Sequence, residues 1–360
     1  MKIIGFLKVV VINLISFIVL LFVVNWGCKF LLKPSAQNTR HLLPNYAEDH
    51  EYAKTIFKDY NSVQHQYEPF VGWKTVPYNG KTTQINADGM RVHTPPIKVN
   101  AGQKSIHFFG GSTMWGEGSD DQHTIPALVN AALPQYNVYN HGQLAYNTRQ
   151  ELDALISTYS KNINPDIVIF YDGVNDAAFL CPKEIDDLPA HRLVPMFRDK
   201  IYVKRSAMVK EALYKLFLEN IMRVLNQYSN KEREESPYNC IGDEHKAEEI
   251  AEIFMRNWEM AHEIVTNRGG EFIAILQPAA FIGNPKTDHL KLDEDLGKNF
   301  KEVYRRIKAK IAERNHPWVY DLSDRFDGDQ LIYIDFCHVS PNGNQIMAKS
   351  IGEIISTKQL

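Results

Sequence analysis

The sequence has little cysteine and no run of basic residues, and each shortage excludes a class of protein. Only four of the 360 residues are cysteine, too few for a small fold held together by a network of disulfides. The formal net charge is -3 and no stretch is rich in lysine and arginine, so nucleic acid is not an expected partner. Internal repeats and low-complexity tracts are also lacking. The 44% of hydrophobic residues is enough to build a globular core.

A long apolar run opens the chain. Ile3 to Trp26 reads IIGFLKVVVINLISFIVLLFVVNW, and as a helix it would be about 36 Å long, enough to cross a hydrocarbon core of about 30 Å. A cleaved signal peptide is the alternative, but the run exceeds the apolar part of such peptides and no small-residue cleavage site follows it. Asn25 also disfavours a lipoprotein attached at Cys28. We expect residues 1–30 to form an uncleaved single-pass anchor in membrane lipid.

The flanking charges do not fix the orientation of this anchor. Lys2 and Lys8 stand before most of the apolar run, and Lys29, Lys33 and Arg40 follow it. Because both sides are basic, the positive-inside rule does not decide which side is cytoplasmic.

Cys181 and Cys240 flank a long polar insertion at about residues 180–243. In an extracytoplasmic domain they could form a disulfide, which would close a loop of about 60 residues and add about 4 kcal/mol of stability. Two unpaired thiols are the alternative.

Residues 31–103 read as a tether followed by a small β-rich segment. Asn79-Gly80 lies between β-prone runs and predicts a hairpin, and Asp88-Gly89 predicts a second turn.

From residue 104 onwards, short apolar runs alternate with helical patterns. Thr124 is a predicted N-cap, and the TRQE that begins at Thr148 resembles a capping box. The alternation predicts an α/β/α sandwich with a mostly parallel five-stranded sheet over 104–360. The predicted strands are Lys104–Phe109, Tyr136–Asn140, Asp166–Tyr171, Glu271–Gln277 and Trp318–Leu322.

Candidate site residues follow three of these strands, at the edge where ligands bind in such sheets. Gly110-Gly111 can form a tight corner that presents Ser112. Gly142 of NHGQ can bring a backbone N–H close to a substrate, and Asn175 of YDGVND can donate its amide to an oxyanion. Each of these short sequences is also common in ordinary turns.

Asp335 and His338 stand three residues apart in DFCH, just before the last predicted helix. This spacing lets a carboxylate hold the imidazole through Nδ1 while Nε2 faces a nucleophile. A capping or buried structural histidine is the alternative. No metal is expected, because no third ligand has a zinc-like spacing and Cys337 is expected to point away from His338.

In this order, the four blocks FGGSTMWG, NHGQ, YDGVND and DFCH resemble those of the SGNH hydrolases, the GDSL-type esterase superfamily. The resemblance covers about residues 104–355 and implies a flavodoxin-like sheet without a cofactor. It implies Ser112 as nucleophile, His338 and Asp335 as its partners, and an oxyanion hole from Ser112, Gly142 and Asn175. Gly111 replaces the family's usual aspartate, which is not a triad residue, and the block is similar to those of bacterial envelope-associated members.

The resemblance implies a membrane-anchored, extracytoplasmic serine esterase acting on acyl esters, with O-acetyl groups of an envelope glycan as the expected substrate. An acyltransferase that passes acyl groups from a membrane-bound O-acyltransferase to a polysaccharide would use the same residues. A lipase or thioesterase is a further alternative, in which Trp115, Phe179 and Phe281 would line an acyl pocket unless they are core. A catalytically idle glycan-binding or scaffold module is disfavoured, because all five motif residues are retained.

Overall fold

The computed structural model describes residues 2–32, 36–93, 102–201, 205–228 and 236–358. Two compact units make up the chain. The smaller unit comprises Met1–Thr39 and Asp199–Ser236, and the larger comprises Arg40–Arg198 and Pro237–Leu360.

The helices and strands are numbered in chain order. The α-helices are α1 (Lys2–Cys28), α2 (His50–Ser62), α3 (Ser112–Trp115), α4 (Ile125–Ala132), α5 (Thr148–Ser160), α6 (Val174–Leu180), α7 (Leu193–Ile201), α8 (Arg205–Phe217), α9 (Glu219–Tyr228), α10 (Glu244–Thr266), α11 (Glu294–Arg314) and α12 (Pro341–Thr357). The strands are β1 (His65–Glu68), β2 (Gly72–Thr75), β3 (Tyr78–Asn79), β4 (Gln84–Ile85), β5 (Ser105–Gly110), β6 (Asn137–Asn140), β7 (Ile167–Asp172), β8 (Glu271–Leu276) and β9 (Val319–Asp321). Short 3-10 helices at Ala36–Leu42 and Pro44–Tyr46 precede α2.

Five parallel strands form the central sheet in the order β6-β5-β7-β8-β9. The central strand β7 reads IVIFYD and is buried along its whole length, as is typical of parallel strands covered on both faces. The register sets Phe108 of β5 opposite Asn140 of β6 and Ile169 of β7. The predicted α/β fold with a parallel five-stranded sheet is confirmed, with strand ends shifted by at most one residue.

Apolar side chains cover both faces of this sheet. Phe109 of β5 belongs to one buried cluster, which includes residues of α5, α10 and α11. Its neighbour Phe108 belongs to the other cluster, with residues of α4 and α12. Because successive side chains of a strand point to opposite faces, the sheet is the middle of three layers.

The strand order places the ends of β5 and β7 at the point where the chain changes direction. From β5 the chain moves to β6 on one side, and it then returns to β7 on the other side. The carboxyl ends of strands at such a switch point border a crevice that is the usual ligand site. Ser112 follows β5 and Asn175 follows β7, so both lie at this switch point.

The β-rich segment before the sheet belongs to the larger compact unit. β3 and β4 form the hairpin predicted from Asn79-Gly80, with Asn79 paired with Gln84 and the turn at residues 80–83. Gly89 has φ of 76° at the second predicted turn. Both turns are therefore confirmed. Trp73 of β2 donates its Nε1 hydrogen to the carbonyl of Leu144 at 2.9 Å, which fastens the segment to the loop that contains NHGQ.

One predicted helix cap is confirmed and one is displaced. Thr124 accepts a hydrogen bond from the Ala127 amide at the start of α4. The capping box of α5, however, is formed by Asn147 and Gln150, not by the TRQE that begins at Thr148. Thr148 lies inside the first turn, where its hydroxyl donates to Asp176 at 2.7 Å.

A disulfide joins Cys181 and Cys240, whose Cα atoms are 5.3 Å apart. It closes the base of the insertion, which contains α7, α8 and α9. Within the insertion, α8 and α9 are separate helices divided at Leu218.

The apolar N-terminal run forms the single helix α1. Its segment Gly5–Cys28 is long and apolar enough to cross a membrane. Signal sequences near an N-terminus can meet the same criteria of length and composition.

Candidate active site

A glycine turn presents Ser112 at the end of β5, at the first residue of the short helix α3. A Cβ on Gly110 would approach the Cβ of Met114 to 2.5 Å, and one on Gly111 would collide with the side-chain amide of Asn175. Neither position has room for a side chain, so this turn requires glycine at both.

Asp335 and His338 lie on a tight loop just before α12. The Ile334 amide donates to the carbonyl of His338 at 2.9 Å, which folds the loop back on itself. One Asp335 carboxylate oxygen accepts the backbone N–H groups of Cys337 at 3.0 Å and His338 at 2.8 Å. The loop therefore fixes the direction in which this carboxylate points.

Ser112, His338 and Asp335 form one chain of hydrogen bonds. The Nε2 of His338 is 2.7 Å from the Oγ of Ser112, and its Nδ1 is 2.8 Å from the Oδ2 of Asp335. Ser112 is 7% exposed, so its hydroxyl group is largely shielded from bulk water. The arrangement lets His338 accept the proton of the serine hydroxyl while Asp335 holds the ring.

The charges around the imidazole act in opposite directions. Burial disfavours the charged ring, but the carboxylates of Asp335 and Glu117 raise the pKa of His338 well above its ordinary value. Burial likewise opposes ionisation of Asp335, but the His338 charge, the Arg40 guanidinium and a backbone N–H lower its pKa. The structure therefore favours an ion pair between the imidazolium and the carboxylate.

Glu117 and Arg40 complete the surroundings of His338, and the sequence interpretation missed both. The Oε2 of Glu117 is 3.0 Å from the His338 Nε2, and its Oε1 is 2.7 Å from the Arg40 guanidinium. The same guanidinium lies 3.0 Å from Asp335. Glu117 directly follows the FGGSTMWG block, but a glutamate between two glycines is also typical of an ordinary turn. No sequence pattern indicated Arg40 as a site residue, because it lies in the segment interpreted as a tether.

Gly142 and Asn175 lie beside the serine turn, and their oxyanion role stays a prediction. The Asn175 amide donates to the carbonyl of Tyr146 at 2.6 Å, which leaves its second amide hydrogen available. The Gly142 N–H donates to the side-chain oxygen of Asn140 at 2.9 Å. That oxygen has to turn away before the Gly142 N–H can bind a substrate.

The three aromatic residues suggested for an acyl pocket have different surroundings. Trp115 is 1% exposed, and the Arg91 guanidinium lies 4.3 Å from the centre of its ring. Phe281 packs on Phe300, with ring centres 5.5 Å apart. Phe179 is partly exposed and its ring lies 4.7 Å from that of His191. Trp115 and Phe281 are core residues here, and of the three only Phe179 presents a sizeable surface.

Cys337 lies beside His338, contrary to the expectation that it points away. Its sulfur is 3.5 Å from the Nδ1 of His338, so Asp335, Cys337 and His338 form a possible cluster of metal ligands. Burial raises the pKa of the Cys337 thiol to about 12, which opposes the thiolate that a metal requires. Both ring nitrogens of His338 also have partners in Ser112 and Asp335. These contacts fit a proton-transfer site better than a metal site.

No model of a known family matches the sequence, and no curated protein matches it either. Solved structures of GDSL-type lipolytic proteins and esterases do match over about 70% of the chain. A lipolytic protein of the G-D-S-L family from Veillonella parvula is 14% identical, with 70% of this chain and 98% of that chain covered and a TM-score of 0.41. A carbohydrate acetylesterase from Sinorhizobium meliloti is 14% identical over 71% and 99%, with a TM-score of 0.41. A GDSL-like lipase from Bacteroides thetaiotaomicron is 13% identical over 71% and 89%, with a TM-score of 0.38.

Proposed function

We propose that the protein is a serine esterase of the SGNH type that cleaves acyl esters through an acyl-Ser112 intermediate. The observation that carries the proposal is the continuous hydrogen-bond chain from the Ser112 hydroxyl through His338 to Asp335, at 2.7 and 2.8 Å. A nucleophile and base within about 2.6–3.2 Å, with the base held by a third group, is the arrangement that activates a serine.

The chemistry divides into two transfers of the acyl group. Ser112 Oγ attacks the ester carbonyl carbon while His338 Nε2 takes its proton. The carbon–oxygen bond to the alcohol then breaks, and the alcohol oxygen takes that proton from His338. Water next attacks the acyl-serine and gives a proton to His338, which passes it to the departing Ser112 oxygen.

The negative oxygen of each tetrahedral intermediate needs hydrogen-bond donors. Ser112 begins α3, and the first N–H groups of a helix have no acceptor within that helix. We assign the donors to the Ser112 N–H, the second amide hydrogen of Asn175 and the N–H of Gly142 after Asn140 has moved. One such donor contributes roughly 3–4 kcal/mol to the transition state.

We infer that the substrate is an O-acetyl ester of an envelope glycan, outside the cytoplasm. The Cys181–Cys240 disulfide supports this location, because disulfides persist in oxidising compartments. The apolar helix α1 would hold the enzyme in the membrane as a single-pass anchor.

The serine assignment is tested with Ser112→Ala in the full chain solubilised in detergent. We expect the variant to lose fluorophosphonate labelling and hydrolysis of p-nitrophenyl acetate, because Ser112 supplies the oxygen that attacks both reagents. Ser160→Ala, which removes an exposed hydroxyl on α5, is the control and should keep both. Labelling that persists in Ser112→Ala would contradict the assignment.

The substrate class is tested by mass spectrometry of envelope glycans from cells with the wild-type or the Ser112→Ala chain. More O-acetyl in the variant is the expected result, because an esterase removes it. Less O-acetyl in the variant would instead identify an acyltransferase, and no change would exclude glycan acetyl groups as substrate.

A further inference from the structure

The Nε2 of His338 faces two oxygens at hydrogen-bond distance. The Ser112 hydroxyl is 2.7 Å away and the Glu117 carboxylate is 3.0 Å away. An imidazole Nε2 carries one hydrogen at most, and when it carries none its lone pair repels a carboxylate oxygen. The position of Glu117 therefore suits a protonated His338 with one carboxylate at each ring nitrogen.

Arg40 balances the two carboxylates. Its guanidinium lies 2.7 Å from Glu117 and 3.0 Å from Asp335, and its side chain is 6% exposed. It also lies 4.7 Å from the centre of the Phe57 ring. Glu117 is itself 4% exposed, so its charge would be unfavourable without this partner. Two positive and two negative groups thus form a closed network around the catalytic nitrogen.

We propose that Glu117 is a positioning residue that holds the His338 imidazolium and thereby sets the pH at which Ser112 becomes active. The proposal rests on the esterase function for its kinetic consequence. In the free enzyme Glu117 retains the proton on Nε2, so His338 becomes a base only at higher pH. During the reaction the same carboxylate stabilises the imidazolium that forms when Ser112 loses its proton.

The other groups near the imidazole do not titrate in the same range. Tyr46, Tyr60 and Cys337 interact with His338 electrostatically, and burial raises the pKa of each one. They remain protonated from pH 5 to pH 10. Asp335 and Arg40 remain charged in that range, because the pKa of Asp335 is lowered and that of Arg40 is raised despite burial. His338 is thus the group whose charge changes.

The kinetic test compares Glu117→Gln with Arg40→Gln. Removing the negative charge should move the acid limb of the kcat/KM profile for p-nitrophenyl acetate down by about one pH unit or more. Removing the positive charge should move it up, because Glu117 and Asp335 then act on His338 without a counter-charge. The double variant should lie between them, and Glu353→Gln on the exposed face of α12 should leave the limb in place. Shifts of the same sign in both single variants would overturn the proposal.

A second measurement does not depend on esterase activity. The His338 ring resonances of the full chain, assigned with His338→Gln, are followed by NMR as the pH is changed. A lower midpoint in Glu117→Gln supports the proposal even if the wild-type chain hydrolyses no ester. An unchanged midpoint overturns it even if the enzyme is active. Circular dichroism of each variant verifies the fold.

In the smaller unit, the side chain of Asn25 on α1 forms hydrogen bonds with the backbone of both α8 and α9. Asn25 is 4% exposed within a mostly apolar helix. Its amide group donates to the carbonyls of Lys215 at 3.1 Å and Leu216 at 3.0 Å. Its oxygen accepts from the backbone amides of Asn220 at 2.8 Å and Ile221 at 3.3 Å. These are groups that the end of one helix and the start of the next leave unpaired.

The helix pair bound at Asn25 exposes large apolar side chains, as does α1 itself. On α8 the spacing of Val209, Leu213 and Leu216 places them on one face. The exposed set, between 40% and 56% accessible, is Val209, Leu213, Leu216, Leu218, Met222 and Leu225. Val23 and Trp26 on the adjoining part of α1 are 52% and 58% exposed. The apolar surface of α8 and α9 thus continues that of α1.

We propose that α8 and α9 lie in the boundary region of the bilayer that α1 crosses, with their apolar side chains among the lipid tails. Asn25 is close to the end of the apolar run, where the membrane meets water, and it fixes the helix pair at that level. Lys210 and Lys215 on α8 would extend toward lipid head groups, as lysines at such boundaries do.

The test places a single fluorescent label on the full chain in vesicles that contain spin-labelled lipids, with Cys28→Ala to remove the partly exposed native thiol. Labels at Leu213→Cys and Leu225→Cys should be strongly quenched by the lipids. The matched control is Glu211→Cys, which is exposed two positions before Leu213, on the opposite side of α8, and should be quenched less. Labels at 213 and 225 that are quenched only by aqueous iodide, or that are protected from both quenchers by a second protein, would overturn the proposal.

Discussion

Three buried acidic side chains surround the turn that contains Asn175. Glu151, Asp172 and Asp176 are 1%, 4% and 2% exposed. Burial raises the pKa of Asp172 to about 6, and burial with the nearby Asp172 charge raises that of Asp176 to about 7. Burial also raises the pKa of Glu151 well above its ordinary value. The three side chains therefore favour the folded state most when their carboxyl groups are protonated.

The stability of the folded protein should therefore decrease as the pH rises. Because the folded-state pKa values exceed the unfolded ones, the contribution to stability is complete below about pH 4 and is lost as the pH rises through 6 to 7. Glu151→Gln removes one of the charges, so we expect a gain on the order of 1–2 kcal/mol at pH 8 and little change at pH 5. Thermal unfolding at the two pH values measures it, with Asp153→Asn on the same helix as control. Equal effects at pH 5 and pH 8 would contradict the account.

The site residues differ in how far the sequence alone could predict them. Ser112 stands in a short motif at a strand end, and Asp335 and His338 stand in one just before the last helix, so local sequence indicated all three. Glu117 directly follows the serine block, and only its contact with His338 indicates a role for it. Arg40 meets Asp335 across 295 positions of the chain, and no local pattern indicates such a contact.

At the scale of elements, the turn between β5 and α3 depends on the absence of side chains. Gly111 stands where the resembled family has an aspartate, and a Cβ there would collide with the amide of Asn175. The replacement is therefore matched to the position of Asn175 in the next loop. The turn and Asn175 therefore limit each other's position.

We expect Gly111→Ala to lower kcat/KM for p-nitrophenyl acetate by about 100-fold, because the turn must shift and displace Ser112 or Asn175. Gly352→Ala is the matched control, since an added Cβ there has no atom within 4 Å. Retained activity in Gly111→Ala would show that the turn tolerates a side chain.

The predicted strands and helix caps agree with the structure where the neighbouring residues alone determine the local conformation. The strands are continuous apolar runs, and Thr124 caps α4 as expected. The cap of α5 was displaced by one residue because Thr148 bonds to Asp176, which is distant in sequence. The division of α8 from α9 coincides with the contacts of Asn25, which only the folded chain brings together.

For the whole molecule, the alternation of strands and helices was sufficient to predict the layered sheet. The sequence indicated an anchor, a β-rich segment and a catalytic domain as successive pieces. In the structure, residues 40 onwards belong to the larger compact unit, whereas 199–236 of the insertion join the N-terminal residues in the smaller one. This regrouping depends on contacts between distant segments, which composition and periodicity do not describe.

The proposed esterase function requires that Ser112 carries the acyl group during turnover. The most direct measurement is peptide mass spectrometry of the full chain, quenched with acid during hydrolysis of p-nitrophenyl acetate. We predict an acetyl group on the peptide that contains Ser112 in the wild-type chain and none on that peptide in Ser112→Ala. Steady turnover with no acetyl on Ser112, or an acetyl on another residue at the same rate, would contradict the account.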